Sequence, residues 1–97
     1  MKTIWKYRLR ELDIVSRIRM RKGAKILHFG TQLDKPCLWA LVDSDAEEVY
    51  REFLIVGTGW KFEEKKGKKL KYIGTILVRG DSLVWHLFEV IGKEEIE

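Results

Sequence analysis

The chain has 97 residues, with 19 Lys and Arg against 15 Asp and Glu, one cysteine and one proline. A chain of this order buries about 60–70% of its open-chain surface on folding, and 45% apolar residues supply one core. Mixed-sign charge at 35% of the residues excludes a disordered polyelectrolyte. No apolar run approaches the roughly 18–20 residues of a membrane helix, and Met1-Lys2-Thr3-Ile4-Trp5-Lys6 lacks the apolar stretch of a signal peptide. Cys37 alone makes no internal disulfide. The expectation is a cytoplasmic protein without a membrane partner, and composition names no function.

The charge is uneven. Residues 1–25 hold nine basic and two acidic residues, net +7, whereas residues 26–97 hold ten basic and thirteen acidic, net −3. Such asymmetry concerns partners rather than fold.

Most of the chain alternates with period two, the signature of half-buried strands. Thr3, Trp5, Tyr7 and Leu9 oppose Lys2, Lys6, Arg8 and Arg10. After a turn near Leu12-Asp13, Ser16, Ile18 and Met20 oppose Arg17, Arg19 and Arg21. The two segments read as a β-hairpin with one apolar and one basic face. Arg21-Lys22-Gly23 gives the next turn, and Ala24 to Gln32 a third strand. Asp34-Lys35-Pro36 interrupts the chain before Cys37 to Val42, a run apolar on both faces and therefore expected to be covered on both sides.

Residues 45–56 admit two readings. Ser44 and Glu47 have capping-box spacing, and Ala46, Val49, Tyr50, Phe53 and Leu54 follow a helical stripe ending at Gly57. The alternation from Val49 to Val56 fits a strand, and Phe53-Leu54-Ile55-Val56 suits a buried strand better than a last helical turn. Leu70 to Val78 and Ser82 to Ile91 are two further strands joined at Arg79-Gly80-Asp81. With no linker or repeat, residues 1–97 read as one all-β domain with a fraying acidic tail at 92–97. The expected architecture is an antiparallel β-sandwich or flattened barrel of six to seven strands. The alternative is an antiparallel sheet with one helix at about 45–56.

Catalytic patterns are thin, and no enzyme is expected. His28 and His86 stand alone inside strands, where structural histidines are usual, and one Cys with two distant His does not make a zinc pattern. Cys37 lies in an apolar run that makes a thiol inert. Gly57-Thr58-Gly59 lacks the Lys-Ser/Thr ending of a phosphate loop. No cofactor or metal is implied.

The basic hairpin is the strongest feature. Lys6, Arg8, Arg10, Arg17, Arg19 and Arg21 would project together from strands about 4.8 Å apart. The bland reading is a solvated edge that deters aggregation. The functional one is a docking face for phosphate or acidic protein, with arginine forks binding anionic oxygens in pairs. A stacking aromatic beside the cations would add nucleotide recognition. Trp60, next to Lys61, is one candidate, Trp85 beside His86 another, and Trp39 a third.

Five segments carry a resemblance: Gly23-Ala24-Lys25-Ile26-Leu27, Pro36 to Asp43, Gly57-Thr58-Gly59, Tyr72-Ile73-Gly74-Thr75, and Leu83 to Glu89. Together they resemble a family of small phage and prophage proteins known as a domain of unknown function. The resemblance implies a bacteriophage setting in a bacterial host cell and an all-strand reading of residues 48–57. It carries no active site, and the basic hairpin is not part of it. The leading expectation is a non-enzymatic phage protein that binds an anionic partner, a nucleotide-type ligand or an acidic host protein, as a host-defence antagonist. The alternatives are a homo-oligomeric structural or virion-associated protein assembling through β edges, and a nucleic-acid-binding accessory protein.

Overall fold

A computed structural model of the chain describes residues 1–11, 15–63 and 67–92. Seven antiparallel strands make up the fold: β1 (Lys2–Arg8), β2 (Ser16–Arg21), β3 (Lys25–Gln32), β4 (Lys35–Asp43), β5 (Glu48–Gly57), β6 (Lys68–Val78) and β7 (Leu83–Gly92). They form a three-stranded sheet, β1-β4-β3, packed against a four-stranded sheet, β2-β5-β7-β6. The expected all-β fold is found, and no helix occurs among the described residues. The turn near Leu12-Asp13 and the tail beyond Gly92 lie outside the described residues.

The helical alternative for residues 45–56 is overturned. The residues Ser44 to Glu47 form a turn instead: the Ala46 N–H donates to the Asp43 carbonyl at 3.0 Å and the Asp45 N–H to Asp43 Oδ1 at 3.0 Å. An Asp that bonds the backbone two residues on favours such a turn over a helix start. The strand that follows then finds cover on both faces. Phe53 and Ile55 point into the sandwich, while on the other face Val56 is buried and Leu54 shares a pocket with Glu63 of the connection from β5 to β6.

The core lies between the sheets. Leu38, Ala40 and Val42 of β4 meet Met20 of β2, Phe53 and Ile55 of β5 and Trp85 and Leu87 of β7, all of them buried. Burying each large side chain contributes about 1.5–3 kcal/mol. The sandwich is drawn together on one side, where β3 approaches β6. There a bulge at Ile73 brings Gly74 to the inter-sheet face, where a Cβ would lie 3.7 Å from Phe29 Cβ. At the opposite side, β1 and β2 end their respective sheets, and Trp5 lies partly open with the Arg21 guanidinium 5.8 Å from its ring.

One ion pair belongs to the inner face. Arg51 grips Glu89 with two bonds, Nε to Oε2 at 2.7 Å and Nη2 to Oε1 at 2.9 Å. Its Nη1 donates to the Ala24 carbonyl at 2.6 Å, which ties the four-stranded sheet to the approach of β3. A cleft of about 470 Å³ opens beside this pair, lined also by Lys71 and Ile73.

The β5–β6 connection must cross β7, which sits between those strands. Gly57 lies opposite Trp85 at one end of β7, and Lys68 opposite Gly92 at the other, so the connection runs the length of the sheet. Trp60 rests against Gly57, where a Cβ would come within 3.0 Å of the indole, and the Phe62 and Phe88 rings are 6.1 Å apart. Phe62 therefore lays the connection over the outer side of β7, while the β2 margin of that side stays open. Among the described residues no segment crosses the outer side of the three-stranded sheet, where Trp39 and Leu41 are half-buried, which corrects the expectation that Cys37 to Val42 is enclosed on both faces.

Candidate functional site

The expected basic hairpin does not form. β1 pairs with β4 and β2 with β5, so the two basic strands belong to different sheets. Alternation had assigned their faces correctly, but a face says nothing about which strand becomes the neighbour. Lys6 and Arg8 point outward from the three-stranded sheet, whereas Arg17 and Arg19 point outward from the four-stranded sheet, on the other side of the sandwich, and Arg21 is half-buried at the edge beside Trp5. Arg10 is exposed just beyond β1, with its backbone N–H donating to Ser16 Oγ at 2.8 Å.

The arginines of β2 are engaged within the protein. Arg19 pairs with Glu48 at 3.4 Å and Arg21 with the same carboxylate at 4.0 Å, while Arg21 Nη1 also donates to the Ala46 carbonyl at 2.9 Å. Arg17 lies over the Tyr50 ring, 4.0 Å from its centroid, and faces Glu52 across the strand pair. This face carries its own anions.

The three-stranded sheet differs. The register places Lys2, Ile4, Lys6 and Arg8 of β1, Lys35, Cys37, Trp39, Leu41 and Asp43 of β4, and Lys25, His28, Gly30 and Gln32 of β3 on its outer face. Five cationic side chains thus share the face with one carboxylate. That carboxylate, Asp43, is turned to the edge, where the Met1 ammonium approaches within 3.1 Å. The Asp45 N–H is the main cause holding the Asp43 carboxyl below its ordinary range, and the ammonium adds to it. Among the described residues, Lys6, Arg8, Lys25 and Lys35 enter no ion pair.

Trp39 occupies the middle of this face. Lys6 is its neighbour on β1 and His28 its neighbour on β3, so cation, indole and imidazole form one row across the sheet. The His28 and Trp39 rings are 5.8 Å apart and inclined by 40°. Both lean over Gly30, where a Cβ would meet His28 Nε2 at 2.7 Å and Trp39 Cζ3 at 3.5 Å. Lys6 Nζ donates to Gln32 Oε1, which carries the lysine stem across β4. Beneath that crossing, the Cys37 thiol is only 1% exposed although its register faces outward, in keeping with an inert thiol.

The remaining candidates fall elsewhere. Trp85 is 2% exposed and belongs to the core, so it offers no stacking surface; its place on the inner face follows from alternation with His86. Trp60 is 43% exposed, on the β5–β6 connection against Gly57, on the same side of the four-stranded sheet as Trp85 and at its end. His86 is held at both nitrogens, Nε2 lying 2.6 Å from the Thr58 hydroxyl and Nδ1 2.9 Å from the Thr75 hydroxyl, which in turn is 2.6 Å from the Tyr72 hydroxyl. This chain fastens the β5–β6 connection to β7 and β6. No three His, Cys, Asp or Glu side chains converge as a metal site among the described residues.

Sequence reasoning missed Lys25 and Lys35, and it missed the grouping of His28 with them. A bulge at Leu27 puts Lys25 and His28 on one face, against strict alternation, and no residue type announces it.

A family model described as Domain of unknown function (DUF7352) matches residues 1–97. The chain belongs to that family. No curated protein and no solved structure matches this DUF7352 chain. No helix among the described residues is long and apolar enough to cross a membrane.

Proposed function

We propose that the protein is a binding module, not a catalyst, and that it holds an anionic partner on the outer face of its three-stranded sheet. The observation that carries this reading is the pairing pattern: among the described residues Lys6, Arg8, Lys25 and Lys35 enter no ion pair around Trp39, while Arg19 and Arg21 of β2 pair with Glu48 and Arg17 lies over Tyr50. Like charges on neighbouring strands repel, and the protein accommodates them here without interleaved carboxylates. An anion that satisfies them recovers that cost. The phage setting implied by the sequence resemblance fits a small protein that acts in the host cytoplasm by occupying a partner, as a host-defence antagonist does.

Self-association through β1 is the weaker reading. Antiparallel pairing of two β1 edges centred on Trp5 would set Lys2 against Arg8 of the second copy, and like charges directly opposite are destabilising.

The test is retention on immobilised heparin. The parent protein should be retained, Lys6→Ser/Arg8→Ser/Lys25→Ser should elute markedly earlier, and Arg17→Ser/Arg19→Ser should elute close to the parent. Equal loss from both variants, or no loss from the first, would reject the face.

A further inference from the structure

The reading above leaves the class of anion open. Resting on that reading, we infer that the outer face of the three-stranded sheet is a platform for single-stranded nucleic acid, with a base stacked on Trp39 and phosphates on Lys6, Arg8, Lys25 and Lys35.

Size is the first argument. Three strands spaced about 4.8 Å apart, with about seven residues each rising 3.3 Å, present a rectangle of about 14 by 23 Å, or about 320 Å². A stable protein partner ordinarily covers about 800 Å² on each side. Lys6, Arg8, Lys25 and Lys35 all fall within this rectangle, which suits a track a few nucleotides long better than a folded acidic protein.

Shape is the second. Small-molecule sites are concave and enclose most of their ligand. The cleft of about 470 Å³ opens at the inter-sheet mouth and shares only Lys25 with the proposed face, and the one of about 350 Å³ is lined by the four-stranded sheet. A mononucleotide on the outer face of β1, β4 and β3 would lie on an open sheet, whereas a strand gathers several weak contacts along it.

Chemistry is the third. Single-strand binders combine cations that follow the backbone with aromatic faces that accept any base. The Lys6–Trp39–His28 row supplies an indole and an imidazole between cationic flanks, with Lys6 and Arg8 on one side and Lys25 on the other. The apolar surface continues along β4 and β1 through Leu41 and Ile4. A base must leave its stack to lie on Trp39, so a duplex is disfavoured; duplex readers insert a helix or ribbon into a groove, and a level sheet face has neither.

Four neutralised phosphates on a single strand give a logarithmic salt slope of about −2.8, hence about 50-fold weaker binding between 50 and 200 mM salt. The experiment is fluorescence anisotropy with labelled oligo(dT) of twelve nucleotides, a duplex of equal length and poly-glutamate as competitors. The expected result is oligo(dT) binding with that salt response, resisted poorly by duplex or poly-glutamate. Trp39→Ala should weaken binding about ten- to hundredfold, and Trp60→Ala, on the β5–β6 connection away from this face, should not. Should Trp39→Ala fail to fold, Lys25→Ser/Lys35→Ser, altered only at exposed positions, should halve the salt slope. Binding of poly-glutamate through Lys6 and Arg8 without oligo(dT) binding would overturn this inference and leave the anionic face standing. Equal affinity for duplex, or oligo(dT) binding indifferent to Trp39, would likewise overturn it. If no polyanion binding depends on the face, both fail.

Discussion

Replacing Glu89 with Gln separates charge from shape at the inner-face ion pair. The carboxylate accepts two short bonds from Arg51, with side-chain exposures of 11% for Glu89 and 21% for Arg51. Removing one partner of a fully buried pair costs about 3–5 kcal/mol because the other charge stays behind. Water reaching one fifth of the arginine lowers that, and the Ala24 carbonyl still accepts one guanidinium bond. The expected loss is about 2–3 kcal/mol, comparable to the worth of charge-assisted bonds. For a chain of this size that corresponds to a melting point about 10–20 °C lower. Urea titration followed by far-UV circular dichroism gives the free energy, and an unchanged m-value certifies that the native state remains compact. The double variant Arg51→Met/Glu89→Leu should regain most of the loss, since an apolar pair of similar volume leaves no orphaned charge. A Glu89→Gln loss below about 0.5 kcal/mol, or a double variant no better than the single one, would refute the reasoning.

Two other expectations concern single atoms. The Tyr7 hydroxyl is buried without a hydrogen-bond partner among the described residues, and burial is the main cause raising its pKa above the ordinary 10.0. Tyr7→Phe should therefore be neutral or stabilise by up to about 1 kcal/mol. A raised folded pKa means the tyrosine contribution is complete below about pH 10 and is lost as pH rises through the folded value, so the variant should also flatten the alkaline decline in urea midpoint; a steeper decline would contradict this. At Gly30, a methyl group would collide with the far end of His28, a side chain free to swing away. Gly30→Ala should keep its melting point within a few degrees yet shift the His28 ring resonances, and a collapse in stability would show that His28 is fixed.

Strand positions and faces were legible because burial on one side of a sheet imposes period two directly on the sequence. Ser16, Ile18 and Met20 were assigned inward and Arg17 and Arg19 outward, as found, while Arg21 wraps at the edge toward Trp5. Pairing was not legible. The neighbour of Tyr7 is Leu38, far along the chain, and local alternation holds no record of a partner at that distance. The same limit divided the basic residues: of the six chosen by local proximity, Lys6 and Arg8 went to one sheet, Arg17, Arg19 and Arg21 to the other and Arg10 to neither, while Lys25 and Lys35 of the proposed face came from β3 and β4. Trp85 and Trp60 show a related ambiguity. Both follow glycine- or valine-rich segments, yet one fills the core and the other lies on the crossing segment, a difference set by tertiary packing alone.

The placement of β7 between β5 and β6 bears on how the protein comes into being. The ribosome makes the seven strands in numerical order, so the ribbon that completes the interior of the larger sheet emerges after both of its flanking neighbours. Until then β5 and β6 have no shared backbone partner, and Phe53 and Ile55 lack the Trp85 and Leu87 layer beside them. The protein is thus committed to gaining its stability late in translation, in a single closing step, and a nascent chain stalled before residue 83 exposes two adhesive margins to whatever is near.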